Sequence, residues 1–259
     1  VPPEKLFRYR RIHTEENSYK ILARTLDEVR TPMIFMAASD SFNDPLEYYF
    51  SSTIDFNGNV DEPISVLRKR FPNITNNTSN GAYLRQLVQA DVIEKAKTAY
   101  KNGITCFQEE CDTVLSWSHY ADSHKGICIE FDTTKDSDLA SIQKVEYKDR
   151  PPDGTSLIQS LVDQKVEENV DLILSLLDAI IITKAAFWQY EKEWRLAKTI
   201  ESDEDRRLEL NAEAVTAIYF GLKTPIEHKE QLVAETKGKL KYYDAVPNFD
   251  NYSLEFNKY

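Results

Sequence analysis

Four segments of this 259-residue chain concentrate polar and aromatic side chains in a way that could support chemistry: F-R-Y-R from Phe7, S-F-N-D-P from Ser41, W-S-H-Y-A-D-S-H-K-G from Trp117 and W-Q-Y-E-K-E-W-R from Trp188. The last carries two carboxylates, Glu191 and Glu193, at the spacing at which side chains of a strand share a face. Such a pair can divide the work, one carboxylate deprotonating an acceptor while the other stabilises positive charge developing in a transition state. Each segment also has a purely structural reading. E-K-E is common on charged surfaces, where Glu191 and Glu193 would pair with Lys192, Arg195 or Lys198. Trp117 and Tyr120 could anchor a short helix on a sheet with His119 at the surface, and Asn43, Asp44 and Pro45 form a turn for ordinary reasons. Together, the four are more than folding needs.

Several common chemistries are absent. The chain has no glycine-rich phosphate loop, no G-x-S-x-G elbow and no H-E-x-x-H, and seven glycines are too few for a backbone phosphate cradle. His13, His119, His124 and His228 are scattered, although His119 and His124 could approach one another with Asp122, so no metal is expected. Cys106, Cys111 and Cys128 lack C-x-x-C spacing and read as reduced thiols, with Cys111 the exposed one. Acidic residues outnumber basic ones by 43 to 32, and the net charge of −11 opposes non-specific binding to nucleic acid or an anionic membrane. A nucleic-acid contact would need a local patch such as Arg8, Arg10 and Arg11, or Arg68, Lys69 and Arg70. No signal peptide is visible, and the longest apolar stretch, Val170 to Trp188, is broken by Asp171, Asp178 and Lys184. A cytoplasmic protein with no membrane partner is the expectation.

The elements that must position these residues follow from periodicity. L-F-R-Y-R-R-I reads as a strand, with Phe7 and Tyr9 on a buried face and Arg8 and Arg10 on an open one. A short helix over 17–29, a buried strand over 33–39 and the turn at 41–45 come next. The polar stretch at about 57–80 reads as a variable insertion, and helical spacing over 82–100 ends at Asn102-Gly103. Then come a strand at I-T-C-F-Q-E-E, a helix and turn at V-L-S-W-S-H-Y-A-D-S-H-K-G, and strands at G-I-C-I-E-F-D and Q-K-V-E-Y-K. The longest helix is predicted over 156–183, with W-Q-Y-E-K-E-W-R leading into the first of four closing strands. Strands at both ends with helices inserted predict a single α+β domain over 1–259. Its strands near Phe7, Phe35, Phe107, Ile129, Trp194 and Tyr219 would form one mixed, mainly antiparallel sheet system.

The order L-F-R-Y-R, F-N-D-P, C-F-Q-E, W-S-H-Y-A-D-x-H-K-G-x-C-I-E-F, Y-E-K-E-W-R and I-Y-F-G resembles a prokaryotic family, domain of unknown function 2971, from Leu6 to about Gly221. A more distant resemblance is to ADP-ribosyltransferase-fold toxins, which share a schematic order of an early Arg, His or Tyr, a middle Ser, Thr or Tyr, and a late glutamate. That resemblance implies an ADP-ribosyltransferase-like fold using NAD as co-substrate. Loss of nicotinamide builds oxocarbenium character at the ribose, so Glu193 would stabilise the anomeric centre while Glu191 orients or deprotonates the acceptor. His119 and Tyr120 would complete the catalytic group. Arg8 or Arg10 would clamp the pyrophosphate, Tyr9 or Tyr120 would stack on nicotinamide, and Ser39, Asn43, Asp44 and Arg195 would line the cofactor site.

The function so implied is an effector of bacterial toxin or anti-phage type. It would modify a nucleic acid or a protein and have an antitoxin or phage protein as a further partner. Two alternatives stand beside it: a metal-independent nuclease using His119, Tyr120, Glu193 and Arg195, and a non-enzymatic domain recognising a nucleotide or a protein.

Overall fold

A computed structural model describes residues 1–12, 25–44, 46–52, 89–90, 92–94, 101–162 and 170–259. The expected insertion at 57–80 and the basic run at 68–70 lie outside these residues. The chain groups into two compact units, one of Val1–Ala37, Gly103–Val145 and Gln189–Tyr259, the other of Ala38–Asn102 and Glu146–Trp188.

The strands, in chain order, are β1 (Lys5–Arg10), β2 (Met33–Phe35), β3 (Asn102–Gln108), β4 (Ile127–Asp132), β5 (Gln143–Lys144), β6 (Glu146–Lys148), β7 (Thr183–Ala185), β8 (Glu193–Thr199), β9 (Arg207–Glu209), β10 (Val215–Phe220), β11 (Lys241–Asn248) and β12 (Ser253–Lys258). The helices are α1 (Val114–Tyr120), α2 (Thr155–Val162), α3 (Val170–Ile182) and α4 (Ile226–Glu235), with a further helical stretch at 25–30 and a single turn at Ser137–Ala140.

The first unit holds an eight-stranded sheet ordered β12-β11-β10-β4-β1-β3-β8-β5. β1 runs antiparallel to β3 and β4, β4 to β10, β11 to β12 and β5 to β8, while β10 and β11 are parallel and joined through α4. The fold is therefore α+β with one main, mainly antiparallel sheet, as the sequence predicts.

Side-chain alternation sends each strand to two cores. Leu6, Phe107, Ile129, Trp194, Leu196, Ile218 and Leu232 of α4 pack on one face. Phe7, Tyr9, Cys128, Ala217 and Tyr219 pack on the other, beneath Trp117 and Ala121. β1 is central, so both its faces are covered, and the expected open face of Arg8 and Arg10 does not exist. Both arginines are drawn to the buried carboxylate of Glu28, with Nε to oxygen distances of 2.8 Å for each. These are ion contacts without hydrogen-bond alignment, since neither Nε–H is aimed at its oxygen. Arg8 also stacks over Phe107 at 5.8 Å.

One further expectation changes. Phe35 does not join the main sheet: among the described residues β2 pairs with β9 in a two-stranded ribbon, where Phe35 opposes Arg207 with its ring exposed. Of the helix predicted over 156–183, α2 and α3 are described, and 163–169 lie outside the described residues. Asn102 and Gly103 open β3, and a Cβ at Gly103 would stand 2.7 Å from Ile200 and 2.9 Å from Met36, so close packing explains the glycine.

In the second unit β6 and β7 form a parallel pair. Ser51 bridges Asp153, and Gly154 packs so tightly on Phe50 that a Cβ would come within 2.3 Å of its ring. Among the described residues no helix is long and apolar enough to cross a membrane.

Candidate functional site

Within the first unit, F-R-Y-R does not converge fully with Y-E-K-E-W-R. In the first unit, β8 starts at Glu193, and Trp194 and Leu196 belong to the core shared with Leu6. Alternation therefore puts Glu193 and Arg195 on the opposite sheet face, the face of Phe7 and Tyr9. Arg8 and Arg10, being out of phase with Phe7 and Tyr9, lie on the Leu6 face. The predicted clamp and the predicted catalytic carboxylate are thus separated by the sheet itself.

Tyr9 is also committed. Its hydroxyl donates to the carbonyl of Glu110 at 2.9 Å, its ring meets Trp117 edge-on at 5.3 Å, and burial raises its pKa well above the ordinary phenol value. A ligand cannot stack on it without displacing Trp117.

What the fold does bring together is α1 and the approach to β8. Thr113 precedes α1, the buried Ser116 donates to Gln108 Oε1 of β3 at 2.7 Å, and Trp117 Nε1–H donates to the Cys111 carbonyl at 2.7 Å. These contacts hold α1 on the sheet and direct Tyr120 from its last turn. Tyr120 Oη then donates to Glu191 Oε1 at 2.7 Å, joining W-S-H-Y to Y-E-K-E-W-R across 71 residues. His119 is exposed, with its ring against Tyr120 at 6.1 Å.

The two glutamates do not share a strand, contrary to expectation. Glu191 ends a 3-10 segment (Ala186–Glu191), Lys192 takes a left-handed φ of 45°, and Glu193 begins β8. Lys192 bears this conformation because its ends are held: its carbonyl accepts from Glu109 N–H at 3.2 Å, and its ammonium pairs with Glu110. Glu193 faces a side-on guanidinium, with Arg195 Nε to Oε1 at 2.6 Å and Nη2 to Oε2 at 3.1 Å. Glu191, Glu193 and Arg195 are all buried, at 2%, 3% and 2% exposure. A carboxylate excluded from water must be hydrogen-bonded or paired, and both are.

In the second unit, Ser39 starts a 3-10 turn (Ser39–Ser41) and Asn43 is exposed. Asp44 is buried, accepting from Trp188 Nε1–H at 2.6 Å and from Leu46 N–H at 2.8 Å. Lys184 pairs with Glu47 at 3.2 Å and stands over the Trp188 ring at 5.0 Å. F-N-D-P and the start of W-Q-Y-E-K-E-W-R are therefore tied to each other by Asp44 and Trp188.

Sequence reasoning missed the buried acids Glu28 and Glu130. Glu130 accepts from Thr216 and Tyr219 at 2.7 Å each and from Lys5 at 3.1 Å. The signal was available, since an isolated acid within an apolar strand, I-C-I-E-F, demands donors. Cys111 was expected to be exposed but is half-buried, and burial pushes its thiol up to about 12. No group of three or more His, Cys, Asp or Glu that could hold a metal ion occurs among the described residues.

No curated protein and no solved structure matches the chain. The model of a family described as a protein of unknown function (DUF2971) matches residues 116–196, the span that opens one residue before Trp117 and closes one residue after Arg195. Its two ends are the segments that the Tyr120–Glu191 hydrogen bond joins in space, and over that span the chain is similar to the DUF2971 family.

Proposed function

We propose that the protein is an ADP-ribosyltransferase-like effector that consumes NAD and modifies a protein or nucleic acid, with Glu191 and Tyr120 at its reactive centre. The observation that supports this reading is the 2.7 Å hydrogen bond from Tyr120 Oη to Glu191 Oε1. It gives one carboxylate a neutral, half-buried phenol as neighbour, beside a second carboxylate that a guanidinium holds fixed.

In this reading the bond from the ribose anomeric carbon to nicotinamide breaks, and nicotinamide leaves with the electron pair. The acceptor's nucleophilic atom bonds to the same carbon, and its proton passes to Glu191. Negative charge at Glu191 stabilises the oxocarbenium character on the way. Arg195 pairs with Glu193 and holds it in place, so Glu193 shapes the field of the site without touching the acceptor. Arg8 and Arg10 take no part as a phosphate clamp, being engaged with Glu28 on the other sheet face.

The test is release of nicotinamide from NAD by the pure protein, with and without cell extract as a source of acceptor. Glu191→Gln keeps shape and hydrogen-bonding capacity but removes charge, and should lower the rate by about a hundredfold, the loss typical of one preorganised electrostatic contact. Absence of nicotinamide release under both conditions, or full activity in Glu191→Gln, defeats the reading. A second reading, a non-enzymatic recognition domain, is favoured by the mutual saturation of Glu193 and Arg195, which needs nothing from a ligand. Saturable NAD binding without turnover would support it instead.

A further inference from the structure

The longest run of left-handed backbone among the described residues is Asp122, Ser123 and His124, with φ of 49°, 53° and 71°. None is glycine, and side chains disfavour that region. The turn persists because its surroundings hold it. His124 N–H donates to the Trp117 carbonyl at 3.2 Å, Gly126 N–H to Ala121 at 2.7 Å, and Lys223 N–H to the His124 carbonyl at 2.9 Å. Gly221 comes so close that a Cβ would stand 2.3 Å from the His124 oxygen.

At the centre lies the His124 ring. It is nearly parallel to the Trp117 indole, at 12° and 6.2 Å, and its Nε2 is 3.3 Å from Ser118 Oγ. Its Nδ1 is buried with no hydrogen-bond partner. A neutral ring tolerates this, with Nε2–H donating to Ser118 and Nδ1 a bare acceptor. An imidazolium does not, because Nδ1 then carries a proton to a place that offers no acceptor.

We propose that His124 makes this turn an acid-released latch on α1: protonation at Nδ1 unseats the ring from Trp117 and loosens the helix that carries Tyr120. The elements around the ring bear few charges. The loop after β10 contributes Lys223, the turn itself Asp122 and Lys125, α1 the exposed His119, and β12 the neutral Phe256 against Trp117. Burial, and then the positive charge of Lys223, hold the His124 pKa below the ordinary imidazole value. The latch is therefore closed at neutral pH and opens only in acid. The inference stands on the turn's geometry and does not depend on any catalytic role for Glu191.

Amide hydrogen exchange of the full chain at about pH 7.5 and about pH 5, corrected for intrinsic rates, reads the latch directly. Acid should cost peptides spanning 114–126 about tenfold in protection, the effect of one newly unsatisfied buried donor. His124→Phe keeps a stacked ring that cannot titrate and should abolish the acid response. An equal response in His124→Phe, or none in the wild type, overturns the proposal. Should His124→Phe not fold, proton NMR titration of the wild-type His124 ring, assigned with His124→Gln, decides the matter. A midpoint below about 6.5 agrees with the latch, and one at or above it refutes it.

Discussion

Replacing Arg195 by Met tests whether the buried pair at the start of β8 is as consequential as its geometry implies. Arg195 meets Glu193 through two nitrogens, at 2.6 and 3.1 Å, and the two side chains are 1% and 4% exposed. Met is of similar length and apolar, so packing is largely kept while the guanidinium is lost. Glu193 then remains a water-excluded carboxylate deprived of its bidentate partner, a situation that costs about 3 to 5 kcal/mol. With a urea m-value of about 2 to 3 kcal/mol per molar, that is a fall in the unfolding midpoint of about 1 to 2.5 M with little change in slope. Glu193→Gln should destabilise less, because the amide oxygen can still accept one guanidinium hydrogen bond. The double variant Arg195→Met with Glu193→Leu should recover most of the loss, since apolar replacement of a whole buried pair is often close to neutral. Urea denaturation followed by far-UV circular dichroism measures all three. A midpoint change below about 0.3 M for Arg195→Met, or a double variant weaker than the two single losses added, would refute the reasoning and mark the pair as water-accessible.

Two further outcomes follow from the other buried carboxylates. Glu28→Gln removes the charge shared by Arg8 and Arg10 at 2.8 Å each and should cost about 3 kcal/mol in the same denaturation assay, a loss below about 1 kcal/mol telling against the arrangement. For Glu130, burial raises the pKa but hydrogen bonds from Thr216, Tyr219 and Lys5 outweigh it, leaving the folded-state value below the ordinary one. Its stabilisation is present above the unfolded pKa, at about 4.5, and is lost as pH falls through the folded value, so Tyr219→Phe with Thr216→Val should flatten the decline of the urea midpoint between about pH 5 and pH 3.

Much of the sheet was legible because its strands are written in period two. Phe7, Phe107, Ile129, Trp194 and Tyr219 all lie in the eight-stranded sheet. What periodicity could not show is that a strand may be buried on both faces. L-F-R-Y-R looks half-exposed because arginine is the residue for solvent, yet here a glutamate about twenty residues on neutralises that face. Phe35 misled in the opposite way. M-I-F reads as a core strand, but only three residues pair, and they pair with β9 beyond the main sheet. The E-x-E reading assumed a strand where the chain turns at Lys192, and a left-handed lysine leaves no mark in sequence. In the candidate site, W-S-H-Y and Y-E-K-E-W-R were expected to supply one catalytic group, and Tyr120 to Glu191 is the contact between them that the described residues show.

The family match begins at residue 116, yet the geometry of its motifs depends on three consecutive residues outside it. Gln108 accepts the Ser116 hydroxyl at 2.7 Å and so seats α1 on one sheet face. Glu109, in the bend after β3, accepts Trp194 Nε1–H at 2.9 Å and pairs with Lys144 at 2.7 Å. Burial alone would raise its pKa, but these two donors reverse the shift and keep it ionised. Glu110 pairs with Lys192 and offers its carbonyl to Tyr9. The end of β3 and the bend after it thus bring Gln108 to α1, Glu109 to β8 and Glu110 to the turn between Glu191 and Glu193. These anchors add to the packing of Trp117 and Ala121 on Phe7 and Tyr9 in placing the Tyr120 hydroxyl against Glu191. Q-E-E at 108–110 is an unremarkable acidic string in one dimension, and in three it sets the spacing between the phenol and the carboxylate on which any chemistry at this site must rest.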